Sequence, residues 1–205
     1  SILKIESDSI TACINSLSFH EKSGFILKEF FTEISVMPEK IAAGNLSIVT
    51  PVSDIRLDLI FTHTGYDAYN HFIDSVKMTG DFSDSKLNLN DISYFAPEIA
   101  GMDNEIRLKG IVKGTVSSLK ARKFSFSFGK NTAFEGNINM DGLPDIEETF
   151  IHLKVKNLVT DYSDLKGIKL PGKDSLGIPE DLRKLGLIRI NGYFTGFYND
   201  FVSSA

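Results

Sequence analysis

Long stretches of the chain alternate apolar and polar residues with a period of two, the signature of strands that bury one face. Residues 54–61, DIRLDLIF, put Ile55, Leu57, Leu59 and Phe61 on one side and Arg56 and Asp58 on the other. Residues 123–128, KFSFSF, put Phe124, Phe126 and Phe128 opposite two serines. Gly129-Lys130-Asn131 then reads as a hairpin turn, after which Phe134, Gly136, Ile138 and Met140 resume the alternation. TFIHLKVKNL, residues 149–158, does the same through Ile151, Leu153 and Val155. Segments 10–19, 24–36, 40–50 and 76–89 predict further strands. Helical signals are short: 91–99, 163–168 and 179–185 each predict a turn or two, and 64–75 reads as a loop or short helix. Pro179 suits a first helical position and Gly186 a C-terminal cap. The fold class is mainly β and antiparallel, with a few short helices.

The pattern also repeats. With Pro97 placed on Pro179, a shift of 82 positions, Glu98 falls on Glu180, Ile106 on Ile188, Arg107 on Arg189, Gly110 on Gly192 and Gly114 on Gly196. The match runs without a gap over about twenty positions, the mark of a structural repeat. No third copy is detectable before residue 97. In a strand, residues four apart share a face, so Gly110 and Gly114 lie with Ile106, Leu108 and Val112. Gly192 and Gly196 likewise lie with Ile188, Ile190 and Phe194. These glycines sit on the apolar side and not at a turn, either as β-bulges or as positions that curve the sheet and leave volume beside it.

Composition narrows the chemistry. The chain has 205 residues, a formal charge of −5 and a hydrophobic fraction of 42%, enough for a core and without the basic balance of a nucleic-acid surface. No run of apolar residues is long enough for a membrane helix, and the opening Ser1-Ile2-Leu3-Lys4 reads as a strand and not as a signal peptide. Beginning and ending inside patterned sequence, the chain is expected to be a piece of something longer. A transmembrane barrel also uses alternating segments, but the absence of Trp and of an aromatic girdle ranks it last. Cys13, the single cysteine, is expected to be a buried inert thiol. His20, His63, His71 and His152 are dispersed; His63 and His71 with Asp67 and Asp74 come nearest to a metal cluster, and a solvated loop is the better reading. Glu147 and Glu148, Asp141-Gly142 and Asn131 read as turn and surface residues. No phosphate loop, nucleophile elbow or Cys/His pairing points to an enzyme. No cofactor and no metal is expected.

Two stretches carry a family resemblance: DISYFAPEIAGMDNEIRLKGIVKGTV and LGIPEDLRKLGLIRINGYFTGFYNDF. They resemble the recurrent units of the TamB and AsmA-like family, in which a short segment leads into a strand of GxFxGxxxDF-like character. LSIVTPVSDIRLDLIF, residues 46–61, is similar to another recurring step of that family, a Thr-Pro-x-Ser turn before a strand. The likeness is strongest over 91–201 and faint over 11–63. It implies a curled, repeat-built antiparallel sheet, a β-taco or groove, within an inner-membrane-anchored periplasmic protein. It further implies a hydrophobic face that carries phospholipid or shields nascent outer-membrane strands, with an outer-membrane barrel protein as a partner of some members. Neither the membrane anchor nor the C-terminal signature region of that family is recognisable within these 205 residues, in keeping with the expectation of a piece of something longer.

The expected groove lining is Ile106, Leu108, Val112, Phe124, Phe126, Phe128, Phe134, Ile138, Ile151, Leu153, Val155, Ile188, Ile190 and Phe194. Gly110, Gly114, Gly192 and Gly196 are the expected sheet-curving glycines. The expected organisation is an N-terminal β segment, 1–90, and a repeat-containing segment, 91–205, divided into 91–172 and an incomplete copy 173–205, within one continuous β architecture. The expected function is non-enzymatic binding and conduction of phospholipid or another acyl-chain ligand, with no nucleic-acid partner. An assembly scaffold or chaperone is the alternative, and a closed β-sandwich binding module a further one. Burying one Phe is worth roughly 1.5–3 kcal/mol, so Phe124, Phe126 and Phe128 demand cover worth about 5–9 kcal/mol, which a facing sheet or acyl chains could equally supply.

Overall fold

A computed structural model describes residues 3–5, 8–169, 177–197 and 200–204, apart from the side chains of Glu98, Phe201 and Ser204. Twelve strands form one antiparallel sheet whose order follows the chain from first to last. They are β1 (Leu3–Ile5), β2 (Ile10–His20), β3 (Ile26–Met37), β4 (Lys40–Val49), β5 (Asp54–Thr62) and β6 (Lys77–Asn88). The second half comprises β7 (Glu105–Gly114), β8 (Ser118–Phe128), β9 (Thr132–Asp141), β10 (Phe150–Thr160), β11 (Ile188–Phe197) and β12 (Asp200–Ser204). β1 pairs only with β2 and β12 only with β11, so the sheet is not closed into a barrel. All the described strands belong to this one sheet, and no second sheet is present among the described residues. β6 pairs with β7 across the expected division at residues 90 and 91, so no break in the sheet marks that boundary. Residues 170–176, where the division between the two copies was placed, lie outside the described residues.

Every strand pair from β2–β3 to β10–β11 carries a register shift. The shifts fall near mid-strand, at Ile14/Leu17, Ala43/Leu46, Phe82/Ser85, Ala121/Phe124 and Val155/Leu158 among others. A bulge adds a residue to one strand, bends it and sharpens its twist. A line of bulges crossing successive pairs therefore bends the whole sheet, which explains how a single layer of this width curls. The backbone groups freed by the bulges are met by side chains. Asp58 Oδ1 accepts from Asn45 N–H at 2.8 Å, and Asn137 Oδ1 accepts from Lys123 N–H at 3.1 Å. Among the described residues, Asn45 and Lys123 are the two non-glycine residues with positive φ, at 50° and 47°. Ser85, which is 1% exposed, accepts from Arg56 N–H and donates to Arg56 O.

The 82-residue repeat corresponds to real architecture. A short helix, Pro97–Ile99 or Glu180–Leu185, precedes β7 or β11, and the paired glycines have positive φ in both copies. Gly110 is at +127° and Gly192 at +154°, Gly114 at +125° and Gly196 at +144°. The bulge reading holds for Gly110, which lies between Lys109 and Ile111 where the β7–β8 register shifts. Gly114 differs from expectation. It ends β7 beside the 115–117 turn, and a Cβ there would come within 2.0 Å of Ser118 O. Pro179 is the cap residue before its helix and not the first helical position.

One further correspondence was missed in the sequence. Asn88-x-x-Asp91 and Asp161-x-x-Asp164, 73 positions apart (88 to 161, 91 to 164), each start a helical turn directly after a strand. Both inner aspartates are buried against the tight turn two strands earlier. Asp91 Oδ2 accepts from Thr50 Oγ1 at 2.6 Å and Ser53 Oγ at 2.5 Å, in the Thr50-Pro51-Val52-Ser53 turn. Asp164 accepts from Lys130, Asn131 and Thr132 N–H at 3.0, 2.7 and 2.7 Å, and from Thr132 Oγ1 at 2.9 Å. A four-strand unit, β4–β7 and then β8–β11, is thus tied twice by a buried aspartate, through two hydroxyls in the first copy and through three main-chain N–H groups and a hydroxyl in the second.

Burial raises the Asp164 carboxyl, but the hydrogen bonds from Lys130, Asn131 and Thr132 more than offset this and hold its pKa below the ordinary carboxylate value. A depressed folded pKa contributes stability that is present above the unfolded value, near 3.9, and is lost as the pH falls through the folded one. Urea midpoints should therefore decline as the pH falls below about 4.5, and Asp164→Asn should flatten that decline.

Candidate functional site

Residues paired across antiparallel strands point to the same side, so the register decides which side chains share a face. Ile106 pairs with Phe128, and Thr160 with Ile188, in the first row of side chains. Thr132 and Thr160 join these two halves, their hydroxyls 2.8 Å apart. The next row reads Leu108–Phe126–Phe134–Leu158–Ile190. Phe82 pairs with Gly110, and Phe124–Gly136–Val155–Gly192 continue that row. Val112–Ala121–Ile138–Leu153–Phe194 follow, and then Gly114–Leu119–Met140–Ile151–Gly196. Every expected lining residue and every expected glycine falls on this one face.

The structure also adds residues that simple alternation placed wrongly or left out. Counting back by twos from Phe124 gives Arg122 and Lys120, whereas the bulge at 122–123 brings Ala121 and Leu119 to the apolar side. The bulge after Val155 brings Leu158 there instead of Asn157. The face also extends into the first half of the sheet, where Leu57 pairs with Leu46 and Phe82, and Leu59 with Ala43 and Gly80.

Burial on this face is partial. Phe134 and Val155 are buried, at 4% and 5% exposed, and the rest of the expected lining is half-buried. The side chains cover one another laterally. Phe126 stacks on Phe134 with ring centroids 4.9 Å apart and touches Phe124 and Phe128 at 6.3 and 6.4 Å. The described strands form a single sheet, so no second sheet faces these side chains among the described residues. The opposite face is solvated: Arg107, Lys109, Lys113, Lys120, Lys154, Lys156 and Arg189 are exposed, and Lys156 pairs with Glu135. The outcome is an amphipathic sheet with one oily side.

No family model, curated protein or solved structure matches this chain. What the molecule can do therefore has to be argued from its own groups. No helix is long and apolar enough to cross a membrane, and no group of three or more His, Cys, Asp or Glu among the described residues is placed to hold a metal ion. His63 is buried while His71 and Asp67 are exposed, so the 63–74 cluster does not converge. His152 is bound through Nδ1 to Thr195 Oγ1 at 2.7 Å. Cys13 is half-buried and not fully buried, because it pairs with Glu33 on the polar side; its S–H donates to Asn15 Oδ1 at 3.0 Å. The buried polar residues Thr50, Ser53, Asp91, Thr132, Thr160 and Asp164 hold turns together at the strand ends. A spacing search for N-cap motifs, Asx-x-x-Asp after each strand, would have found the two aspartates.

Proposed function

We propose that the chain is a non-enzymatic, acyl-binding segment of a periplasmic protein that bridges two membranes, and that phospholipid tails lie on its apolar face. The observation that carries this reading is one continuous apolar face, aligned row by row across the strands, with half-exposed side chains and no facing layer. Such a face is stable in water only if something apolar lies on it. The dimensions suit a lipid tail. A single acyl chain spans about half of the ~30 Å hydrocarbon core of a bilayer. Three inter-strand steps of about 4.8 Å cover roughly that length. Half-burying some fifteen methylenes at ~0.8 kcal/mol per fully buried group gives about 6 kcal/mol, ample for retention and weak enough for onward transfer. The periplasmic location and the bridging role come from the family resemblance of 91–201. The two free sheet edges favour a second reading, a scaffold that pairs with nascent strands of an outer-membrane barrel protein.

Native mass spectrometry after incubation with phospholipid vesicles should find lipid on the folded protein. Phe126→Lys and Phe194→Lys should each reduce it at least tenfold while leaving the circular dichroism spectrum unchanged. A protein without lipid, or variants that retain it, would remove the acyl-binding reading. Photo-crosslinks from β1 or β12 to unfolded barrel substrates, in the absence of lipid, would favour the scaffold.

A further inference from the structure

The segment between β5 and β6 carries polar chemistry that the oily face does not otherwise use. β5 sends Leu57, Leu59 and Phe61 to the apolar side, and the same alternation brings His63 there, its N–H bonded to Glu39 O at 3.1 Å. Residues 64–75 then fold back as two short helices, Tyr66–His71 and Phe72–Ser75. Phe72 lies edge-on against Phe61 at 5.6 Å, and Tyr69 lies edge-on against His63 at 5.0 Å. This strap is an aromatic cover over one end of the face.

Inside it two polar atoms have no partner. His63 is 6% exposed, and its Nδ1 accepts from Gly65 N–H at 3.2 Å, so Nε2 carries the other hydrogen. That Nε2–H and the Tyr69 hydroxyl are sealed from solvent and bond to nothing among the described residues. Buried polar groups in folded proteins are nearly always hydrogen-bonded, so a donor and a hydroxyl held in one apolar cluster call for an acceptor from outside. The strap is built to admit one. Neither helix has a side-chain cap, the chain enters through Gly65 at φ +148°, and Ser117 tethers it through Ile73 O. Segments so lightly held open at little cost.

We propose that His63 Nε2–H and Tyr69 O–H receive the ester carbonyl at the polar end of an acyl chain lying on the apolar face, with the strap 64–75 closing over it. This rests on the acyl-binding reading and gives that bound chain a direction. Residues 63–76 contain no lysine or arginine and include Asp67 and Asp74, so a neutral carbonyl suits the pocket better than a phosphate or a free carboxylate.

The test compares retention of hexadecane, methyl palmitate and palmitate by the full chain, read by mass spectrometry after gel filtration, with the ¹⁵N shift of His63 Nε2 followed in parallel. Methyl palmitate should be retained about 25-fold better than hexadecane, two neutral hydrogen bonds at about fivefold each, and should move the Nε2 resonance. His63→Phe and the more conservative Tyr69→Phe should each cut that advantage about fivefold and together erase it, with hexadecane retention unchanged. If hexadecane itself is not retained, the acyl-binding reading fails and takes this assignment with it. If hexadecane binds but the ester gains nothing, or the variants keep the gain, the assignment alone is overturned. An Nε2 shift indifferent to methyl palmitate would show that a resident water satisfies the group, which also overturns it. Palmitate retained above methyl palmitate would overturn the choice of an ester.

Discussion

Alanine at Gly136 should destabilise the protein by more than about 3 kcal/mol, the upper end of single-substitution effects. The position lies mid-sheet between Phe124 and Val155, where the β8–β9 and β9–β10 pairs both pass through their bulges. A Cβ there would stand 2.2 Å from Lys154 O and 2.9 Å from Phe134 Cζ. The Phe134 ring could turn only by giving up its stack on Phe126, and the Lys154 carbonyl is main chain and cannot swing aside without breaking the ladder. Overpacking of this kind moves backbone and side chains together. Gly44→Ala is the control, since its nearest neighbours would be 3.8 and 3.9 Å away and its φ is not positive. It should be neutral, or slightly stabilising through the unfolded state. Urea denaturation of the two variants beside the parent measures the contrast. Equal stability of the two would mean that the bulge line does not bring neighbouring backbones as close as described.

The second large effect is expected at Asp164. Asp164→Ala removes the acceptor for three main-chain N–H groups and one hydroxyl at the β8–β9 turn, which no other described group is placed to replace. Hydrogen bonds to a charged group are worth about 1.5–3 kcal/mol each, and part of that returns when water enters, so a net loss of about 3 kcal/mol is expected. The damage should be local first. Amide exchange at Lys130, Asn131 and Thr132 should accelerate well before the centre of the sheet does. Asp91→Ala should loosen the Thr50–Ser53 turn less directly, because Asp91 accepts from the Thr50 and Ser53 hydroxyls and the turn's Val52 and Ser53 N–H groups bond to Thr50 Oγ1. Unaltered exchange at Lys130, Asn131 and Thr132 in Asp164→Ala would show that the carboxylate does not hold that turn.

Much of this architecture was legible in the chain because each strand states its own face. Ile151, Leu153 and Val155 alternate so regularly with His152 and Lys154 that strand and orientation follow together. The repeat was legible for a similar reason: Gly110 and Gly192 recur in register because both must adopt positive φ beside a neighbouring strand. The errors came where two strands decide jointly. Nothing local marks the step from Phe124 to Ala121, because a bulge is a mismatch between partners and Lys123 is an ordinary strand residue until it is forced to φ +47°. Nothing local marks Asp164 and Asp91 as buried, since the hydroxyls and N–H groups they bond lie some thirty to forty residues earlier in the chain.

By itself the sequence determined the strands, the apolar identity of one side of each, the short helices between some of them and the 82-residue repeat. These are local properties, set by alternation, turn residues and steric demands on single glycines. Only the tertiary structure decided that the strands join in chain order into one layer, that bulges realign the rows across it, and that the described residues form no second sheet. The physical reason is that an apolar strand face requires cover without specifying its source. Whether a neighbouring sheet, a strap such as 64–75 or a ligand supplies that cover depends on how all the strands pair at once.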